Sequence, residues 1–281
     1  MSVNGKIHDA GGRPRTWLRQ AVVQIAAGLR HLVREPRSRV VRPTIRSIVI
    51  WASGILLAFV LLTIVFDAAA IIASRRLPGL VVYAFDEITD FGKSGWFLYP
   101  LGALIIAIVV APPNLPRSVQ LTLAAIMVRA GFLFIAIGLP GLFTTIVKRM
   151  IGRARPFVGG VADPYLYQPF IWRVEYASLP SGHATTAFAA AVAIGTLWPR
   201  TRLVMWIYAA VIAVSRVVIV AHHPSDVLAG AVVGIVGALL VRNYFAARQL
   251  AFGVAPNGVV AAFVGPSRRR IKAVARALLA A

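Results

Sequence analysis

Six apolar runs divide the chain: Ile45 to Phe66, Trp96 to Ala111, Val119 to Val147, Ser181 to Trp198, Leu203 to Ala221 and Val227 to Phe245. A helix rises about 1.5 Å per residue and bilayer hydrocarbon is about 30 Å thick, so runs of this length predict membrane-crossing helices. The second crosses only if Ser94 and Gly95 join it. The expected fold is all-α: a polytopic bundle of six transmembrane helices over residues 45–245, flanked by a basic arm (1–44) and a basic tail (246–281). Six spans put both ends of the chain on one side of the membrane.

The flanks carry weaker patterns. In the arm, Leu18, Val22, Ile25, Leu29 and Leu32 recur at helical spacing, with Arg19, Arg30 and Arg34 between them. This predicts an amphipathic helix lying on the membrane surface. No apolar core of signal-peptide length precedes Trp51, so no cleavable secretion signal is expected. From Phe252 to Gly265 the tail is apolar but broken at Pro256, Asn257 and Gly258, and Arg268, Arg269 and Arg270 follow. That reads as a surface-lying appendage rather than a seventh span.

Composition narrows the classes. The 281 residues are 59% hydrophobic and 14% charged, with a net charge of +21. A nucleic-acid-binding basic protein would carry its cations in place of apolar runs rather than beside them, so no nucleic-acid partner is expected. The absence of cysteine excludes disulfides, zinc-thiolate sites and cysteine nucleophiles. Of the 30 basic residues, 21 fall before Ser47, on the Pro112–Ser118 and Pro199–Arg202 loops, at Arg129 and from Arg242 onward, against two acids, Asp9 and Glu35. This asymmetry predicts a cytoplasmic-type membrane, with both termini cytoplasmic and the Asp67–Gly95 and Lys148–Pro180 loops outside. The collar of cations also predicts attraction of arm and tail to anionic lipid. Arg129 lies eighteen residues before Val147, about 27 Å along a helix, near the opposite water boundary, and reads as a structural, snorkelling residue.

Three polar clusters interrupt the apolar chain, and this topology puts all three at the outer boundary. The first runs from Lys148 to Pro156, the second is Pro180-Ser181-Gly182-His183, and the third extends from Ser215-Arg216 through His222 to Asp226. Lys148, Arg155 and Arg216 bring three positive charges together with no nearby acid except Asp226, which suits a dianion such as phosphate. Ser181 and Gly182 stand at a helix N-terminus, whose free N–H groups attract anions, and glycine permits close approach. Asp226, four residues after His222, is placed to hold one imidazole nitrogen and leave the other as a nucleophile toward phosphorus. His183, on another helix, suits the general acid. Each element alone has an ordinary reading: lipid-facing anchors for the cations, a cap for Ser181, dipole compensation for Asp226. Their co-location on one face is what those readings leave unexplained. His222 and His223 beside Asp226 leave a metal site open in principle, but no further firm ligand is at hand, and neither metal nor cofactor is assigned.

The pattern Lys148-x6-Arg155-Pro156, Pro180-Ser181-Gly182-His183 and Ser215-Arg216-x5-His222-x3-Asp226 resembles the three-part signature of the type-2 phosphatidic acid phosphatase superfamily, which is shared with vanadium haloperoxidases. All eleven signature identities are present over residues 148–226. The resemblance implies a metal-independent membrane phosphatase with His222 as nucleophile, Asp226 as its orienter and His183 as acid. Lys148, Arg155, Ser181, Gly182 and Arg216 would bind phosphate, and His223 would not be the nucleophile. Its implied substrates are lipid phosphates or pyrophosphates: phosphatidate, phosphatidylglycerol phosphate, undecaprenyl diphosphate or a lipid A phosphate. A phosphotransferase using the same histidine and a non-catalytic lipid-binding protein are the alternatives.

Secondary expectations concern the surroundings. Phe157, Tyr165, Tyr167, Phe170, Trp172 and Tyr176 populate the outer loop as a candidate substrate entrance or as interfacial aromatics. Asp86, Glu87 and Asp90 are expected to pair with Arg75, Arg76 or Arg153. Arg149 and Arg153 are expected to raise the local field for an anionic substrate.

Overall fold

The computed structural model describes residues 32–112 and 114–279, together with Ala26 and Arg30. The amphipathic helix expected around Leu18, Val22, Ile25 and Leu29 lies outside the described residues.

Thr44 opens the first span by accepting the Ser47 N–H at 3.2 Å. Helix α1 (Ile45–Leu61) passes through a π-helical turn (Leu62–Phe66) into α2 (Asp67–Ser74). Helices α3 (Gly79–Asp90) and α4 (Gly95–Val109) follow, then α5 (Arg117–Ile151), α6 (Gly182–Leu197), α7 (Arg202–Val218) and α8 (Pro224–Ala247). Each of the six apolar runs is thus helical. Among the described residues, five stretches are long and apolar enough to cross a membrane: Ile45–Ser74, Gly79–Val109, Arg117–Ile151, Pro199–Val218 and Pro224–Ala247. The sixth, α6, has 16 residues, about 24 Å of rise.

Two boundaries differ from expectation, the end of the first span and the start of the second. The segment Asp67–Gly95, read as an outer loop, is largely helical. Asp67 continues the first span as a fully buried residue. An intramembrane carboxylate is costly alone and tolerable when paired, and the partner is remote in sequence.

Helix α6 is the inner helix. Ala184, Ala187, Ala189, Ala190, Ala191 and Ala193 are all buried, so neighbouring backbones approach closely. On α8, a Cβ at Gly230 would collide with the Ser181 carbonyl, and one at Gly234 with the Thr185 carbonyl. Thr144 and Thr185 hydrogen-bond across α5 and α6 at 3.0 Å. Helix α1, by contrast, buries none of its residues and presents Ile50, Trp51, Leu56 and Leu57, the face a lipid-contacting helix requires.

The tail is bound to the bundle rather than appended to it. Strands β1 (Phe252–Val254) and β2 (Val260–Ala262) pair antiparallel, and Phe252 enters the core against Phe132 with ring centroids 4.7 Å apart. Arg129 donates to the carbonyls of Ala125, Phe263 and Val264 at 2.9, 2.9 and 3.2 Å. Its charge therefore fastens the tail instead of only reaching for water. Helix α9 (Arg268–Leu279) then packs Val274 against Ile108, Leu115, Val119 and Leu123. At the other flank, Arg37 and Ser38 donate their N–H groups to Ala247 at the end of α8.

Candidate active site

Gly152 ends α5 in the left-handed region (φ 65°), and a Cβ there would overlap the Gln168 carbonyl. The chain can therefore turn sharply after Lys148 and fold residues 153–155 back toward the approach to α6. Backbone bonds fix that return: Ser178 donates to Arg153 at 3.1 Å and Arg155 to Glu175 at 2.8 Å. Ser181, just before α6, donates to the Asp226 carbonyl in the first turn of α8 at 3.0 Å. All three polar clusters are thereby joined.

The phosphate-binding candidates converge from three directions. A Cβ on Gly182 would stand 3.4 Å from Lys148 Nζ, so glycine leaves the lysine room beside the start of α6. The charges of Arg155, Arg149, Arg216 and Asp226 all act on Lys148. Those of Arg216, His222 and Lys148 act on His183, which places both histidines in one electrostatic neighbourhood. Arg216 is steadied by a bond from Nη1 to Thr89 Oγ1 at 2.8 Å, and Ser215 Oγ reaches the same hydroxyl at 2.9 Å. Thr89 lies on α3, within the segment read from sequence as loop.

Among the described signature residues, four buried side-chain atoms have no protein partner, Arg155 Nε, Ser181 Oγ, His183 Nε2 and Arg216 Nε, and Arg149 Nη1 and both His223 ring nitrogens beside them are also unpartnered. Buried polar atoms are ordinarily satisfied, so four unsatisfied ones drawn from all three clusters mark the place of a polar guest. Ser181 occupies the N-cap position of α6 yet makes no side-chain capping bond. The ordinary cap reading of that serine therefore fails.

His222 is 2% exposed. Burial pushes its imidazole down to about 4 against the pull of Asp226, leaving the ring neutral at neutral pH. The expected direct hold by Asp226 is absent, because His222 Nδ1 and Asp226 Oδ2 are 3.8 Å apart. Ser178 lies between: its hydroxyl donates to Asp226 Oδ2 at 2.6 Å and stands 3.3 Å from His222 Nδ1. No periodicity or motif distinguished Ser178. Asp226 further accepts the His223 N–H at 2.9 Å and Arg153 Nη1 at 2.6 Å.

Arg153 departs most from expectation. It is fully buried rather than facing solvent, and it bridges Asp226 to Asp67, whose Oδ2 accepts Arg153 Nη2 at 2.8 Å. Burial works against its charge, but Asp226 and Asp67 outweigh it and hold the guanidinium more basic than usual. The surface pairing expected of Arg153 with Asp86, Glu87 or Asp90 does not occur. Asp90 pairs with Lys93 at 2.7 Å on the surface, and Arg75 stacks on Phe157 at 4.0 Å. Arg149 lies 5.8 Å from the Trp172 ring, beside the loop aromatics.

Beside His183 a cavity of about 600 Å³ opens between α4 and α5, with Lys93, Leu98, Tyr99, Ile137 and Leu142 on its walls. Gly92 lies against the His183 ring, and a Cβ there would come within 3.0 Å of it. Among the described residues, no three His, Asp or Glu side chains are grouped to hold a metal ion.

A sequence model of the PAP2 superfamily matches residues 129–250. A lipid A 1-phosphatase of Rhizobium johnstonii is 33% identical over 203 residues, covering 72% of this chain and 82% of that protein. A lipid A 1-phosphatase of Rhizobium etli is 33% identical over 203 residues, covering 72% and 86%. Among solved structures, a PAP2 type phosphatidylglycerolphosphate phosphatase from Bacillus subtilis aligns with a TM-score of 0.48 at 19% identity, over 68% of this chain and 94% of that one. Aquifex aeolicus LpxE aligns with a TM-score of 0.43 at 20% identity, over 66% and 93%. By the identity and extent of the Rhizobium matches and the matched signature region, this chain belongs to the PAP2 superfamily, as a phosphoric ester hydrolase of the membrane.

Proposed function

We propose that the protein removes a phosphate from a lipid headgroup at the outer face of a cytoplasmic membrane, with the 1-phosphate of lipid A as its leading substrate, through a phosphohistidine at His222. The observation that carries this reading is the set of four unpartnered buried atoms, on Arg155, Ser181, His183 and Arg216, gathered near a neutral buried His222. The lipid A assignment follows the names of the two Rhizobium relatives.

In this mechanism Lys148, Arg155 and Arg216, with the backbone at Ser181 and Gly182, hold the phosphoryl oxygens and neutralise charge that grows in the transition state. His222 Nε2 attacks phosphorus as the bond to the lipid oxygen breaks, and His183 donates a proton to that oxygen. Water, losing a proton to His183, then attacks phosphorus; the P–N bond breaks, and inorganic phosphate and neutral His222 are regenerated. Asp226 orients His222 by way of Ser178. The basic arm and tail rest on the cytoplasmic leaflet, attracted by anionic lipid, with residues 45–245 forming the phosphatase domain between them.

The test is phosphate release by purified enzyme in detergent from lipid A, phosphatidate, phosphatidylglycerol phosphate and undecaprenyl diphosphate, compared with His222→Ala. Lipid A is expected to lead the panel, and the variant to release nothing while eluting as folded protein. A variant that kept its turnover would remove His222 from the reaction. Vanadate, which adopts the five-coordinate phosphoryl geometry, is expected to inhibit, and EDTA is not.

A further inference from the structure

A buried ionic chain runs beneath the nucleophile and reaches elements that carry none of the signature residues. At its far end Asp67, in the first turn of α2, accepts the Ser225 N–H through Oδ1 at 2.9 Å, and Arg153 Nη2 and the Ser225 hydroxyl through Oδ2. Arg153 gives its other nitrogens to the Pro164 carbonyl (Nε, 3.0 Å) and to Ser225 Oγ and Asp226 Oδ1 (Nη1, both 2.6 Å). Asp226 passes the chain through Ser178 to His222. Asp67, Arg153, Ser178, Ser225 and Asp226 are all 0% exposed.

Two features of this chain exceed what packing requires. First, both oxygens of Asp226 are fixed by donors from three separate segments, so the carboxylate cannot rotate away from Ser178. The planar guanidinium fork allows this, since Arg153 meets one carboxylate with each terminal nitrogen. Second, two carboxylates face one guanidinium, which leaves one negative charge in excess. A paired Arg153 and Asp226 alone would be neutral. The added carboxylate, Asp67, sits inside a candidate membrane span, where an ionisable group is costly and ordinarily serves function. That excess charge lies beneath a ring that becomes cationic when its Nε2 bonds to phosphorus, and in a low-dielectric interior it favours that state.

We propose that Asp67 and Arg153 are positioning residues of the reaction, which lock Asp226 and, through Ser178, set the orientation of His222 and supply the negative charge that stabilises its phosphorylated form. The proposal deepens the phosphohistidine reading and rests on it. Neither Asp67 nor Arg153 hydrogen-bonds to a residue of the phosphate cradle, so their contribution falls on turnover rather than on substrate capture.

The decisive experiment measures kcat and KM of the purified full chain on a short-chain phosphatidate, for Asp67→Asn, Asp226→Asn and the double variant. Asp67→Asn keeps the shape of the side chain and removes its charge. Its kcat is expected to fall about 10- to 100-fold, the usual cost of losing a supporting outer partner, with KM changed less than about threefold. In the Asp226→Asn background the same change is expected to cost less than about twofold, because residues acting in series are not additive. A purely structural Asp67 would lower the yield of active protein and leave kcat per folded molecule and additivity intact; that result overturns the proposal. So does an Asp67→Asn enzyme with unchanged kcat. If Asp226→Asn turns over at the wild-type rate, both this proposal and the phosphohistidine reading beneath it fall. Where Asp67→Asn does not fold, Ser178→Ala reads the near end of the chain: a kcat loss of about tenfold or more at constant KM supports the proposal, and full kcat overturns it.

Discussion

His222 Nδ1 and Asp226 Oδ2 lie 3.8 Å apart, beyond hydrogen-bonding distance, with the Ser178 hydroxyl between them. A donor on Nδ1 meets an oxygen that has already given its own proton to Asp226. That arrangement favours the tautomer with its proton on Nδ1 and leaves Nε2 free as a base. The carboxylate thus reaches His222 one residue removed, through the segment just before α6.

The proposed acid role of His183 is separable from phosphate binding by choice of leaving group. His183→Ala is expected to slow release from an alkyl phosphate by about 10²- to 10⁴-fold. With para-nitrophenyl phosphate, whose phenolate departs without a proton, phosphorylation of His222 is expected to lose far less. Equal losses on both substrates in rapid-quench measurements would place His183 in binding instead.

Stability should respond to acid through His222. Its folded value of about 4 lies below the roughly 6.5 of an unfolded histidine, so the unfolded chain takes up the proton first. Stability contributed by the neutral ring is complete above about 6.5 and is lost as pH falls from there toward about 4. Thermal unfolding midpoints in detergent are expected to drop across that interval, and His222→Gln is expected to flatten the dependence.

Helix spacing is set by glycine away from the chemistry. A Cβ at position 234 would overlap the Thr185 carbonyl, so Gly234→Ala forces α6 and α8 apart. The expected cost is about 1–3 kcal/mol, the usual range for overpacking, read as a lowered midpoint in a detergent melt. Gly54→Ala meets nothing and is expected to leave the midpoint unchanged.

Orientation is directly measurable because the chain has no cysteine of its own. Val161→Cys lies in the exposed loop near the site, and Asn257→Cys in the exposed turn of the tail hairpin. A membrane-impermeant maleimide applied to intact cells is expected to label Val161→Cys alone, and both once the membrane is opened. Labelling of Asn257→Cys in intact cells would reverse the topology.

The apolar runs were legible because the hydrocarbon imposes a length and a composition on any helix that crosses it. The three clusters stood out because a phosphate site would call for cations, imidazoles and a helix N-terminus together, and the structure joins all three. Asp67 was not legible, since a charge at the end of an apolar run reads as the start of a loop unless its partner is known. That partner, Arg153, lies 86 positions away. Arg153 itself read as a solvent-facing charge for the same reason, and Ser178 belongs to no periodic pattern. Phe252 looked peripheral because nothing in a short, broken apolar stretch says that it returns to Phe132.

The linear order of residues thus determined the helical class, the membrane and the class of reaction, because each follows from local composition or from motif spacing. Tertiary structure decided which charges are buried, what stands between His222 and Asp226, and where the tail goes. Those outcomes depend on pairings between distant segments, and the energy of a buried charge is fixed by its neighbours in space, not by those in sequence.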